Sequence, residues 1–250
     1  MSGLRSCREL RELELYENCV CCIEGLDGLV KLETLDLSYN RIQRMEGLGA
    51  AGLPSLRELY LANNRISAIE GLEGLDRLEV LELGSNQLRR IANLRHLGAL
   101  RELHLGRNDI DLIGEGLAGL ASLRTLGLAS NRLRSLQGVE AAVGLRELYA
   151  DHNMIDDTAP ILGLSQLHTV ELSANRLRSI QVAPLSLLEE LWLSDNPIDD
   201  AAALADVAVL PRLKTLYLSG CPFALTADYR ASVLGLAPST LVQLDADSLR

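Results

Sequence analysis

The amino-acid sequence predicts an α/β solenoid, in which short coils of chain stack along one axis around a shared core. A frame of apolar residues recurs ten times in the 250-residue chain, at intervals of 21 to 25 residues. An asparagine closes nine of these frames and a cysteine closes the tenth. Hydrophobic residues make up 48% of the chain but aromatic residues only 3%, so the core must be aliphatic. Internal repeats of this length are typical of solenoid proteins.

The frame has the form L-x-x-L-x-L-x-x-N, which is typical of leucine-rich repeats. Within L-x-L the period is two, so both leucines point to one side of a strand and their neighbours point to the other. One such strand cannot bury its leucines alone, but stacked coils form a parallel β-sheet over a continuous core. We therefore predict a right-handed leucine-rich-repeat solenoid with this sheet on its concave face. The frames begin at Leu10, Leu32, Leu56, Leu78, Leu100, Leu123, Leu145, Leu167, Leu188 and Leu213.

The residue that closes each frame is predicted to hold neighbouring coils together. A short amide side chain can hydrogen-bond to backbone groups of its own coil and of the next, which would otherwise be buried without partners. Cys221 takes the tenth closing position, and we predict a structural role for it. The nine asparagines are Asn18, Asn40, Asn64, Asn86, Asn108, Asn131, Asn153, Asn175 and Asn196.

The return half of each coil, which follows the closing residue and leads to the next frame, is predicted to form short 3₁₀ or α turns on the convex face. About 22 residues per coil leave little room for a longer helix. One longer element is expected. After Asp199-Asp200, the alanine-rich run to Val209 predicts a true α-helix, because acidic residues are favoured at a helix N-terminus.

The repeats end after Cys221. The segment Thr226–Leu236 predicts a helix with Thr226 as its N-cap, and Leu241 and Leu244 follow it. We predict a single domain, with ten repeats in 10–221 and a C-terminal helical cap in 222–250 that covers the last coil.

The charge balance limits the classes of partner. The formal net charge is −10, with 34 acidic against 24 basic residues. Nucleic acid is disfavoured as a partner because phosphates are neutralised by Lys and Arg. No stretch approaches the ~20 apolar residues needed to span a bilayer, and Met1–Cys7 lacks the apolar run of a secretory signal. We expect a soluble, intracellular protein, cytoplasmic or nuclear, that is monomeric on its own and does not bind membranes.

The sequence carries no recognisable catalytic or metal-binding motif. There is no phosphate-binding loop, no nucleophile elbow and no H-E-x-x-H. The cysteine count is odd, and Cys19, Cys21 and Cys22 are crowded together, so we interpret them as reduced thiols, with metal binding or redox sensing as the alternative. The prediction is therefore a protein with no catalytic residue, no cofactor and no metal, which is not an enzyme.

The residues that flank the buried leucine of each strand are predicted to point outward in two rows. These twenty positions hold nine acids, four aromatic residues and no Lys or Arg. Tyr16 and Tyr39 are also assigned to the concave face. Exposed aromatic residues ringed by charge are typical of interface hot spots. The predicted protein-binding residues are Asp36, Tyr60, Glu82, His104, Tyr149, Glu171, Glu190, Trp192 and Tyr217.

Several stretches resemble a known family. LDLSYNRIQRMEGL, LRELYLANNRISAIEGL, LEVLELGSNQLRRI and LEELWLSDN are similar to the 22-residue-repeat regulatory subunit of protein phosphatase 1, and the similarity covers nearly the whole chain. The resemblance implies that the concave row docks on the phosphatase catalytic subunit. Residues that match the family's contact residues in type are Asp36, Glu82, Glu190, Trp192 and Tyr217. Tyr60 and His104 stand where the family has Phe, and Glu171 stands where it has Asp.

Two other functions use the same scaffold. One is a structural adaptor of the dynein light-chain type, and the other is a spliceosomal leucine-rich protein that holds an RNA-binding partner. The acidic row disfavours direct contact with RNA, although it does not disfavour an RNA-binding protein as the partner.

Overall fold

The structure is a computed structural model that describes residue 4 and residues 7–249. Residues 1–3, 5, 6 and 250 lie outside the described residues. The prediction that Met1–Cys7 contains no secretory signal therefore falls mostly outside them.

Ten three-residue strands, β1 to β10, form a parallel sheet in chain order within the described residues. Neighbouring strands pair in register, so that Leu13 of β1 lies beside Leu35 of β2. Each strand lies inside one predicted frame, and the predicted parallel-sheet solenoid is confirmed. The strands are Glu12–Glu14, Thr34–Asp36, Glu58–Tyr60, Val80–Glu82, Glu102–His104, Thr125–Gly127, Glu147–Tyr149, Thr169–Glu171, Glu190–Trp192 and Thr215–Tyr217.

The core is a stack of aliphatic layers, one layer for each coil. In β2 the middle residue Leu35 is fully buried, and so is Leu37 just after the strand. The same two positions are buried in every later coil, and the buried residues form one cluster that runs from Ile23 to Leu244. Burial of each leucine contributes about 1.5–3 kcal/mol, which a lone three-residue strand could not obtain.

The closing asparagines form the predicted ladder between coils. The Asn64 amide nitrogen donates to Leu61 O of its own coil at 3.1 Å and to Leu37 O of the preceding coil at 2.9 Å. Its amide oxygen accepts from Ile42 N at 2.9 Å. Cys221 is buried and its thiol donates to Leu193 O at 3.3 Å, so its predicted structural role is also confirmed.

The return halves contain short helical segments. A four-residue α-helix, α1, spans Leu48–Ala51, and the 3₁₀ segments span Val139–Ala141, Ala159–Ile161, Ala202–Val209 and Pro222–Leu225. Gly47 enters α1 with φ 101°, and a Cβ there would lie 2.2 Å from Ile23 O of the preceding coil. Within the described residues, none of the helices combines the length and the apolar surface that a membrane crossing requires.

The α-helix predicted after Asp199-Asp200 is wrong, because Ala202–Val209 is a 3₁₀ helix. Its buried residues are Leu204 and Val207, and the next buried residue is Leu210. This spacing of three residues matches the 3₁₀ repeat, which places all three on one face toward the core. Packing against the neighbouring coils therefore overrides the α propensity of alanine.

The C-terminal segment covers the last coil, but its details differ from the prediction. Its helix, α2, spans Tyr229–Leu236, and the residue before it is Asp228 rather than Thr226. The Thr226 hydroxyl instead donates back to Phe223 O at 2.9 Å and follows the 3₁₀ turn that Pro222 begins. The predicted N-cap is therefore wrong.

Two strands that the sequence did not predict complete the sheet. β11 spans Gln243–Leu244 and pairs parallel to β10, while β12 spans Asp247–Ser248 and pairs antiparallel to β11. Leu241 and Leu244 are buried and repeat the first two apolar positions of the frame, which is the signal that could have predicted β11. The segment thus ends the sheet as well as covering its core.

Candidate functional site

The candidate site is the outward side of the sheet, which we call the sheet face: the first and third residues of β1 to β10. All twenty are partly or largely exposed, and the residue between them is buried from β2 onward. In-register pairing aligns the first residues in one straight row and the third residues in a second, as in Thr215↔Glu190 and Tyr217↔Trp192. The sheet face therefore carries nine acids and four aromatic residues, with no Lys or Arg.

The structure places all nine predicted binding residues on this face. Glu190 is the first residue of β9 and belongs to the first row. The other eight are third residues of their strands and lie in the second row: Asp36, Tyr60, Glu82, His104, Tyr149, Glu171, Trp192 and Tyr217. They spread over eight strands instead of meeting in one pocket, which suits contact with a large partner.

The first row has a pattern that the sequence analysis missed. Each strand contributes one position, or rung, to the row. Glutamate occupies every second rung, and threonine or valine occupies the rungs between. Since neighbouring rungs lie about 4.8 Å apart, this alternation keeps carboxylates from facing each other directly. The row runs Glu12, Thr34, Glu58, Val80, Glu102, Thr125, Glu147, Thr169, Glu190, Thr215.

Trp192 and Tyr217 form a stacked aromatic pair at the C-terminal end of the sheet face. Their ring centroids are 4.4 Å apart and their planes differ by 16°. The Gln243 side chain of the cap donates to the Tyr217 hydroxyl at 2.5 Å. The pair is therefore held in one orientation before any partner binds, which lowers the entropy lost on binding.

Two tyrosines on the sheet face are each paired with the glutamate two residues earlier. The Tyr60 hydroxyl donates to Glu58 and the Tyr149 hydroxyl donates to Glu147, each at 3.3 Å. Burial, and then the neighbouring carboxylate, raise the pKa of both phenols above the ordinary value. Both tyrosines thus remain neutral donors with fixed rings.

Two glutamates in the second row are partly withdrawn from water. Glu82 accepts from Gly84 N at 2.5 Å and Glu171 accepts from Ser173 N at 2.8 Å. Burial raises the pKa of both carboxyls, and these backbone donors oppose the rise. Each carboxylate has a fixed position from which it can accept a donor from a partner.

A recess of about 730 Å³ opens beside the middle strands, lined by sheet-face residues of β4 to β7 and by the segments that follow β3 to β7. Gly127 occupies the rung between His104 and Tyr149 and leaves a gap in the second row. A Cβ at Gly127 would lie 3.2 Å from His104 Nδ1, so the imidazole partly covers the glycine. The prediction did not include this recess, although the only glycine among the twenty positions could have indicated it.

Tyr16 and Tyr39, also assigned to the concave face, lie outside the twenty positions that define the sheet face. Tyr16 is two residues after β1 and Tyr39 is three residues after β2, where its backbone is left-handed with φ 56°. Their rings contact each other at 5.0 Å and about half of each side chain is exposed. They form a second aromatic pair, close to the first two strands.

The sheet face carries polar and aromatic groups that can contact a partner. It offers carboxylates, phenols, one indole and one imidazole, with His104 Nε2 lying 3.3 Å from Glu102. Among residues 7–249, no group of three or more His, Cys, Asp or Glu side chains could hold a metal ion. All five cysteines are free, and Cys7, Cys19, Cys21 and Cys22 are exposed.

Comparisons with known proteins agree on the fold. The family model described as leucine rich repeat matches residues 31–88 and 54–110. An internalin C2 from Listeria monocytogenes is 30% identical over 74% of this chain and 81% of its own, with a TM-score of 0.67. A Leptospira interrogans leucine-rich-repeat protein is 24% identical over 94% of this chain and 66% of its own, with a TM-score of 0.72.

A second Listeria internalin is 22% identical over 96% of this chain and 88% of its own, with a TM-score of 0.61. No curated protein matches the chain. None of these comparisons identifies a regulatory subunit of protein phosphatase 1. The frame, the asparagine ladder and the matches lead to one conclusion: the chain belongs to the leucine-rich repeat family.

Proposed function

We propose that this protein is a non-catalytic interaction subunit whose sheet face binds a protein partner with a basic or mixed surface. One observation carries the proposal: the twenty sheet-face positions hold nine acids and four aromatic residues but no Lys or Arg. Strand propensity would account for the aromatic residues, and solvent exposure for the acids. Neither accounts for the complete exclusion of basic residues from one face.

The two kinds of residue serve binding in different ways. Large aromatic side chains that are held rigid supply most of the binding energy at protein interfaces, and the stacked Trp192 and Tyr217 have this character. The acids favour encounter with a basic surface and disfavour acidic partners. The alternation of glutamate in the first row distributes this charge along the whole sheet.

The proposed partner is the catalytic subunit of protein phosphatase 1. Support comes from the resemblance in residue type at Asp36, Glu82, Glu190, Trp192 and Tyr217. An adaptor of the dynein light-chain or spliceosomal type would use the same face, so the choice of partner is tested separately from the choice of surface.

The test is a calorimetric titration, in which purified phosphatase catalytic subunit is titrated with wild-type protein and with matched variants. Trp192→Ala should weaken binding by about 2–4 kcal/mol, as expected of a central hot spot. Glu190→Arg should weaken it in a salt-dependent way, since it reverses a charge opposite a basic surface. Arg132→Ala, which alters an exposed residue off the sheet face, should change the affinity little.

Each outcome decides one question. Binding of wild type and Trp192→Ala with equal affinity, at unchanged melting temperatures, would show that the sheet face is not the docking surface. Absence of binding by wild type would remove the phosphatase as partner. A pulldown scored for dynein heavy chain and spliceosomal proteins would then test the two alternative adaptors.

A further inference from the structure

A third row of side chains, which we call the edge row, runs along one edge of the sheet face. Its residues immediately precede the ten strands. From Glu33 onward, each N–H in the row donates to the carbonyl of the same position in the preceding coil, as Arg57 N does to Glu33 O and Arg146 N to Arg124 O, both at 2.8 Å. Successive side chains therefore begin about 4.8 Å apart along the row.

Charges alternate along both ends of the edge row. The first five residues are Arg11, Glu33, Arg57, Glu79 and Arg101. Arg11 pairs with Glu33, Arg57 pairs with Glu79, and Arg101 Nε lies 3.5 Å from Glu79. At the other end Lys214 pairs with Glu189 at 2.6 Å. Opposite charges on neighbouring strands stabilise a sheet, so this alternation has a structural reason.

The alternation fails in the middle of the row. Arg101, Arg124 and Arg146 occupy three successive rungs, which we call the arginine run, and His168 follows them. The Arg146 guanidinium has no ion-pair or hydrogen-bond partner among residues 7–249. Like charges on neighbouring rungs repel each other, so the run opposes stability in the isolated chain.

The middle arginine of the run is held in place. Arg124 Nη1 donates to Leu123 O at 2.9 Å and to Gly144 O of the next coil at 3.3 Å. A Cβ on Gly144 would lie 2.1 Å from this nitrogen, so the guanidinium can occupy this position only because residue 144 has no side chain. Its contacts are to neutral carbonyls, which fix the cation without neutralising it.

We propose that the arginine run binds an acidic segment of a partner protein. This surface lies beside the sheet face but has the opposite sign, so the proposal extends beyond the function given above. Three arginines on rungs about 4.8 Å apart match a short series of Asp or Glu side chains. A nucleic acid fits less well, because Glu79 and Glu189 stand on either side of the run in the same row and would repel a polyanion longer than the run.

The test measures fluorescence anisotropy of a labelled short oligoglutamate peptide with the full chain at low and high salt. Arg146→Glu should weaken binding at least about tenfold at low salt. The matched control is Arg57→Glu, since both arginines are exposed, lie in the same row and change the net charge equally. Arg57 stands between Glu33 and Glu79, so its reversal should weaken binding by less than about twofold.

Two results would overturn the proposed role of the arginine run, and a third would overturn the class of its partner. One is a lack of saturable binding by wild type at low salt. The other is an equal loss in Arg57→Glu and Arg146→Glu, which would mean that only net charge matters. Tighter binding of an oligonucleotide of equal charge, lost in Arg146→Glu, would contradict a protein partner. Trp192→Ala should bind the peptide as wild type does, so this test and the phosphatase titration fail independently.

Discussion

The first and last coils of the solenoid differ in how completely their leucines are buried. Leu13 and Leu15 of the first coil are only partly buried, whereas Leu216 and Leu218 at the same positions of the tenth coil are fully buried. The difference lies in what covers them, because α2 and β11 pack over the tenth coil. A repeat cannot bury its own apolar face, so a segment outside the repeats must cover the end of the stack.

Removing the cap should have the largest effect, because it would turn the last coil into an exposed end. Deletion of 222–250 exposes Leu213, Leu216 and Leu218 and removes Phe223 and Val233 from the core. At about 1.5–3 kcal/mol for each leucine, the loss of stability should exceed about 4 kcal/mol. We expect the truncated protein to aggregate or to melt at a markedly lower temperature in circular dichroism.

A truncated protein that remains monomeric in size-exclusion chromatography, with the melting temperature of the full chain, would show that the segment is not a cap.

The asparagine ladder offers a sharper comparison between an end and the middle. Asn108 bonds to Leu83 O and Leu88 N of the preceding coil, whereas among the described residues the exposed Asn18 bonds only to carbonyls of its own coil. Asn108→Ala leaves buried backbone groups without partners and should cost about 2–3 kcal/mol. Asn18→Ala should cost less than about 0.5 kcal/mol, since it removes only exposed contacts.

Urea denaturation of the two variants checks this contrast. Equal losses of stability would mean that the bonds between coils contribute nothing beyond those within a coil.

A smaller loss than that of Asn108→Ala is expected from one bond inside the cap. The half-buried Tyr229 hydroxyl donates to Asp245 at 2.6 Å, which joins α2 to the residue after β11. Tyr229→Phe should cost about 1–2 kcal/mol at neutral pH. Burial and then the Asp245 carboxylate raise the pKa of Tyr229 far above its ordinary value.

That raised pKa gives the bond a pH dependence. Above about pH 10 tyrosine in the unfolded chain loses its proton while folded Tyr229 keeps it. Stability should therefore fall as the pH rises past this point. Tyr229→Phe should lack this part of the fall when the free energy of unfolding is measured at neutral and alkaline pH. An equally steep fall in the variant would contradict the assignment.

Sequence reasoning succeeded where one local rule decides the structure. The position of Leu35 follows from strand periodicity, and that of Asn64 follows from the need to satisfy buried backbone groups. Cys221 was placed by its position in the frame alone. The positions of these residues in the frame make the same contacts in successive coils, so the repeated pattern is enough to predict their roles.

Prediction failed where contacts with neighbouring coils determine the local conformation. Ala202–Val209 has a composition that favours an α-helix, but its coil requires the three-residue spacing of Leu204, Val207 and Leu210. On the sheet face the outward rows were predictable, because they follow from the leucine pattern. The recess at Gly127 and the Trp192–Tyr217 stack depend on side chains from adjacent coils, which no single frame contains.

The alternation of glutamate in the first row has a consequence for how such a chain can grow. Insertion of one duplicated coil that carries a glutamate in this row would place two glutamates on neighbouring rungs, about 4.8 Å apart, where they repel. Insertion of two consecutive coils, such as the 44 residues 58–101, would preserve the alternation. The same holds for Arg11, Glu33, Arg57 and Glu79 in the edge row. Gene duplication should therefore lengthen or shorten this solenoid most readily by pairs of coils.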